Sequence, residues 1–151
     1  MARNNNGSAV AIVGGGLVAG AVDIAVATVI YHIPTWQKTL QAVARGWYGK
    51  ASFEMGMQSV IVGALSQALI CMIIAALYIQ FAGSLLRRPW LGGTLLGIVV
   101  YLVMNYVVVP LSKAGGGWHM PKLDMNFVLT VLANILLGLI IAHFAARFAK
   151  R

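Results

Sequence analysis

The stretch MQSVIVGALSQALICMIIAALYIQF, Met57 to Phe81, carries no charged side chain from end to end. A helix needs about 20 mostly apolar residues to cross a hydrocarbon core about 30 Å thick, and this stretch is long enough. Lipid offers no partner to an unpaired backbone group, so the segment has to be helical. It lacks the alternating polarity of a barrel strand. Three other stretches read the same way: about Ala9 to Tyr31, about Leu91 to Leu111 and about Phe127 to Phe148. The expected fold is all-α, an integral membrane four-helix bundle forming a single transmembrane domain over residues 1–151.

The composition agrees. Of 151 residues, 60% are hydrophobic and only 9% charged, against about 25% charged in an ordinary soluble domain. Such a chain cannot cover a globular surface with polar groups, so soluble enzymes, secreted disulfide scaffolds and disordered tails are excluded. A single cysteine, Cys71, rules out an internal disulfide, CxxC redox chemistry and a cysteine zinc cluster. The net charge of +8 comes from 11 Lys and Arg scattered between apolar runs. That distribution suits anionic membrane lipids rather than nucleic acid.

The connections are punctuated. Asn4 to Ser8 is a polar lead-in. Leu85-Leu86-Arg87-Arg88-Pro89-Trp90 is a short turn between the second and third spans, with Pro89 where a missing N–H costs little. Pro110 is expected to close the third span, and Ala114 to Lys122, with three consecutive glycines, to form a loop. Trp36, Trp47, Trp90 and Trp118 fall just outside the spans, at the level of interfacial anchors. Between the first two spans, Trp36, Leu40, Val43 and Trp47 recur at helical spacing, with Gln37, Lys38, Gln41 and Arg45 on the other face. Pro34 to Lys50 is therefore expected to be an amphipathic surface helix, its tryptophans and Leu40 turned to the apolar side. Asp23 and the glycines of the first span make a poor signal-peptide core, so that span is expected to be retained.

Four spans put both termini on the side of the Arg87-Arg88 turn. That side has Arg3, Arg87, Arg88, Arg147, Lys150 and Arg151. The other has Lys38, Arg45, Lys50, Lys113 and Lys122, with Glu54 and Asp124. Counting only Lys and Arg, the positive-inside rule points both termini to the cytoplasm.

The polar residues inside the spans form a layer. Asp23, Gln67, Asn105 and Asn134 each lie six to ten residues from a span end on the side opposite the termini. At about 1.5 Å per residue they sit roughly 9–15 Å below one surface. Small residues share their faces: Gly16 and Gly20 with Asp23, Gly63 with Gln67 and Cys71, Gly93 and Gly97 with Tyr101 and Asn105, Gly138 with Thr130 and Asn134. Such faces pack helix against helix, as in Gly16-x-x-x-Gly20. The layer reads in two ways. It is a proton, ion or small-ligand site around Asp23, because intramembrane carboxylates are costly and often functional. Or it is interhelical glue, with amide bonds worth about 0.6 kcal/mol each.

Other chemistry finds little support. His32 and His119 lie near one surface and His143 near the other, so no histidine pair can hold haem within the bundle. Two lone histidines are a thin basis for a metal site. Ser66 and His143 lie in opposite halves, which excludes a Ser–His nucleophile. Gly14-Gly15-Gly16 lacks the strand–turn–helix context of a phosphate loop. Cys71 and Met55, Met57, Met120 and Met125 read as packing residues. No cofactor, metal or catalytic residue is expected.

Three runs carry a resemblance: Gly15-Gly16-Leu17-Val18-Ala19-Gly20-Ala21-Val22-Asp23, Leu40-Gln41-Ala42-Val43-Ala44-Arg45-Gly46 and Tyr101 through Met104-Asn105 to Pro110-Leu111-Ser112. Their joint pattern, AG-x-x-D, LQ-x-x-A-x-G and MN-x-x-V-x-P-L-S, resembles small four-span bacterial inner-membrane proteins of unknown function. The likeness covers about Gly14 to Ser112 and implies fold and source, not an activity. The first functional expectation is a structural or accessory subunit, or a bundle that self-associates into a homo-oligomer or larger membrane complex. The alternative is a small proton-coupled transporter or channel using Asp23, by analogy with four-helix multidrug carriers that have one carboxylate in the first helix.

Overall fold

The structure, a computed structural model, describes residues 5–115 and 123–149. Arg3, Asn4, Trp118, His119, Met120, Lys122, Lys150 and Arg151 lie outside the described residues, as does most of the glycine loop. The described chain is all-α. Helix α1 covers Asn5–Ile30, α2 Trp36–Tyr48, α3 Met57–Phe81, α4 Pro89–Val103, α5 Val109–Leu111 and α6 Met125–Phe148. Four stretches are long and apolar enough to cross a membrane: Asn6–Ile30, Met57–Phe81, Pro89–Leu111 and Met125–Phe148. The chain is a multi-pass membrane bundle.

The ends of these helices follow from local chemistry. After α1 the chain reverses through His32, whose φ of 50° is rare for a residue other than glycine. Thr35 caps α2 by accepting the Lys38 N–H. At the other end of α2, Gly49 at φ 63° donates its N–H to Arg45 O. Pro89 stands in the first turn of α4. Asp124 Oδ1 accepts the Phe127 N–H at 2.9 Å and caps α6. Asp124→Ala removes that acceptor and should cost about 1 kcal/mol. In detergent this is a fall of about 2–4 °C in the melting midpoint; Asp124→Asn, which still caps, should fall less.

Pro110 stands one residue before the end of the third span, as expected, but the turn leading to it is not regular α-helix. Between α4 and α5, Met104–Val108 winds as a π-turn, in which the Val109 N–H bonds Met104 O. Pro110 has no N–H to offer Tyr106 O, and its ring crowds that carbonyl. The wider turn accommodates the ring, and the helix runs on to Leu111.

In lateral order the spans run α3, α1, α6, α4. Glycine faces make the closest seams. In α4 against α6, a methyl at Gly138 would collide with Gly93 O and Gly97 N, and one at Gly97 with the Ile135 and Asn134 backbone. In α1 against α3, Gly16 faces Met72 and Gly20 faces Cys71 and Gln67. Small buried residues continue the core: Ala11 and Ala19 of α1, Ala75 of α3, and Ala142 and Ala145 of α6. By contrast α3 and α4, joined only through residues 82–88, hardly touch. An apolar groove of about 500 Å³ separates them, walled by residues such as Ile73, Leu77, Leu95 and Val99.

The helix expected between the first two spans is present over Trp36–Tyr48. It packs mainly on α3, with Thr39, Leu40, Gln41 and Ala44 buried, and the Thr39 hydroxyl lies 2.7 Å from that of Thr28 in α1. Gly63 serves this seam rather than a contact between spans, since any side chain there would meet Leu40 O. Trp36 and Trp47 stay largely exposed beside the seam. Trp47 Nε1 donates to Ser66 Oγ at 2.9 Å. Gln41, assigned to the polar face, is buried and donates through Nε2 to Gly56 O at 3.1 Å. The same carbonyl also accepts the Ser59 hydroxyl at 3.0 Å.

Candidate functional site

Each spanning helix contributes to one polar cavity. Its volume is about 180 Å³, and its walls include Asp23, Gln67, Asn105, Asn134 and Thr130. The four residues of the expected layer are therefore neighbours around a common space. Alternating helix direction brings them to one level, and the glycine seams hold α1 near α3 and α4 near α6. The cavity extends from the exposed Tyr31, just past the end of α1, down to Val100 and Leu137.

The hydrogen bonds divide the four residues. Gln67 Nε2 donates to Asp23 Oδ2 at 2.7 Å, joining α3 to α1. The same nitrogen lies 3.8 Å from Cys71 Sγ. Asn105 and Asn134 do not reach Asp23. Each donates to its own helix one turn back, Asn105 Nδ2 to Tyr101 O at 3.0 Å and Asn134 Nδ2 to Thr130 O at 2.9 Å. Of the three amides in the layer, only Gln67 bonds the carboxylate. Asn105 and Asn134 keep their side-chain carbonyl oxygens as uncommitted acceptors on the cavity wall.

Two features were not foreseen. The Tyr31 hydroxyl lies 2.8 Å from Thr130 Oγ1, tying the end of α1 to α6 on the cavity wall. Tyr31 falls two turns beyond Asp23, which was the available signal. The π-turn of Met104–Val108 contains Asn105, and π-turns recur at functional sites. Its signal was Pro110, five residues further on.

Ile70, Ile74, Val100 and Met104 line both this cavity and the groove between α3 and α4. Chemically the site offers one carboxylate, one amide donor bound to it and several neutral oxygens. That set can take up a proton or surround a small cationic group. Among the described residues no three His, Cys, Asp or Glu gather where they could hold a metal ion. His32 is exposed on its turn, and His143 Nδ1 lies 2.8 Å from Leu139 O with its ring edge-on to Trp90. No protein-family model, curated protein or solved structure matches the chain.

Proposed function

We propose that this chain is a small proton-coupled transporter or channel of the bacterial inner membrane, with Asp23 as the group that gains and loses the proton. The supporting observation is the cavity: four strongly polar residues, one from each span, line one common space. Residues that served only as glue would bond across helices and leave no room between them. Here two of the three amides bond their own helices, and the room is present. In this reading Gln67 fixes Asp23 Oδ2, and Oδ1 exchanges protons with water entering past Tyr31. Asn105 and Asn134 supply acceptors along the path. The excess of Lys and Arg on the termini side supports cytoplasmic termini.

The test is proton movement into proteoliposomes under an imposed pH gradient, followed with a trapped pH-sensitive dye. Wild type should dissipate the gradient, and Asp23→Asn should match empty vesicles. An unchanged rate in Asp23→Asn would falsify the reading.

The second reading, a structural or accessory subunit or self-associating bundle, is favoured by the apolar groove between α3 and α4. It takes precedence if wild-type vesicles hold the gradient as well as empty ones and the protein elutes as a defined oligomer.

A further inference from the structure

On the termini side, between the 82–88 connection and the last turns of α6, lies an open basin of about 1350 Å³. Arg87 enters it from the connection, and Arg147 and His143 from α6, one turn apart. Leu86, Phe144 and Phe148 supply its apolar lining. The chain has three side-chain carboxylates, and none belongs to this half: Asp23 lines the polar cavity, while Glu54 and Asp124 precede α3 and α6. Neither arginine has a carboxylate partner among the described residues; Arg147 lies over the Phe148 ring at 5.8 Å. Beside the basin Trp90 packs edge-on against His143 and stays largely exposed, as an indole at headgroup level does.

We propose that this basin binds the phosphate of an anionic phospholipid, with Arg87 and Arg147 gripping the phosphate oxygens. Guanidinium groups bind phosphate through paired N–H donors. Basic pockets between spanning helices collect anionic headgroups. A bare phosphate would use the two arginines but leave the apolar lining idle. The volume also exceeds the upper end of drug-sized pockets, about 1,000 Å³. A headgroup with its glycerol and first acyl carbons uses both the charge and the apolar walls. The inference stands independently of Asp23.

Native mass spectrometry tests it on the full chain in detergent, with equal phosphatidylglycerol and phosphatidylcholine added. Wild type should retain phosphatidylglycerol about ten-fold over phosphatidylcholine. Arg87→Gln/Arg147→Gln should bring the ratio near one. Lys38→Gln/Lys113→Gln, at the other membrane face, should leave it unchanged. Arg147→Lys keeps the charge but loses the paired donors, and should lower the ratio about two-fold. It carries the test if the double variant does not fold. Millimolar inorganic phosphate should not displace the lipid. Equal retention of both lipids by wild type, or full preference in the double arginine variant, would overturn the proposal. Displacement by inorganic phosphate would overturn the lipid as occupant and leave free phosphate in its place.

Discussion

Gly138→Ala should lower the melting midpoint of the detergent-solubilised protein by about 10 °C, an overpacking cost of about 3 kcal/mol. The added methyl would collide with Gly93 O and Gly97 N, both backbone atoms of α4. Backbone cannot rotate out of the way as the end of a long side chain can. The seam must open, and α4 then loses its principal neighbour, because it hardly touches α3. Gly14→Ala is the control. Its methyl would meet Phe144 no closer than 3.4 Å, an ordinary contact. Alanine is about 1 kcal/mol better than glycine inside a helix, so this variant should melt no lower than wild type. Equal effects of the two substitutions, in a thermal melt followed by circular dichroism, would mean that the seam is looser than its geometry.

Asp23 separates packing from proton traffic. Asp23→Leu leaves Gln67 Nε2 without its 2.7 Å acceptor and with only the distant Cys71 sulfur. Losing that hydrogen bond costs about 0.5–1.5 kcal/mol, so this variant should melt about 3 °C below wild type. In Asp23→Asn the side-chain oxygen can still accept from Gln67, and the midpoint should stay within about 2 °C of wild type. The asparagine variant should nevertheless carry no proton flux, because an amide does not titrate near neutral pH. Folding and flux thus respond to different substitutions at one residue. Leucine and asparagine variants of equal stability would show that the Gln67 bond contributes nothing to the fold.

The four spans were legible because hydropathy over some twenty residues is set by composition alone. The polar layer was legible for a related reason: depth is rise per residue multiplied by distance from a span end. Asp23, Gln67, Asn105 and Asn134 needed no tertiary information to be placed at one level. What those residues bond was not legible. An asparagine in a helix can turn back to a carbonyl one turn earlier or reach across to a neighbour. The choice depends on rotamer and on the gap between helices, and neither is written in residue order. The seam of α2 was misjudged for a similar reason. A hydrophobic stripe marks the residues that avoid water, and in a membrane lipid satisfies Trp36 and Trp47 as well as protein does. The contact with α3 instead brings the Leu40 backbone against Gly63, which a side chain at residue 63 would block. The open groove between α3 and α4 follows from which glycine faces pair, which no single helix reveals.

Ile70, Ile74, Val100 and Met104 border both the polar cavity and the apolar groove. They form a partition one side chain thick between the neighbourhood of Asp23 and the hydrocarbon of the bilayer. Three of the four are branched and stiff, whereas Met104 is unbranched with three rotatable bonds. It also opens the π-turn, where the backbone has already left regular α geometry. A swing of that one thioether is the smallest movement that would join the two spaces. An amphiphile dissolved in the membrane would then meet the carboxylate sideways, through the bundle's flank.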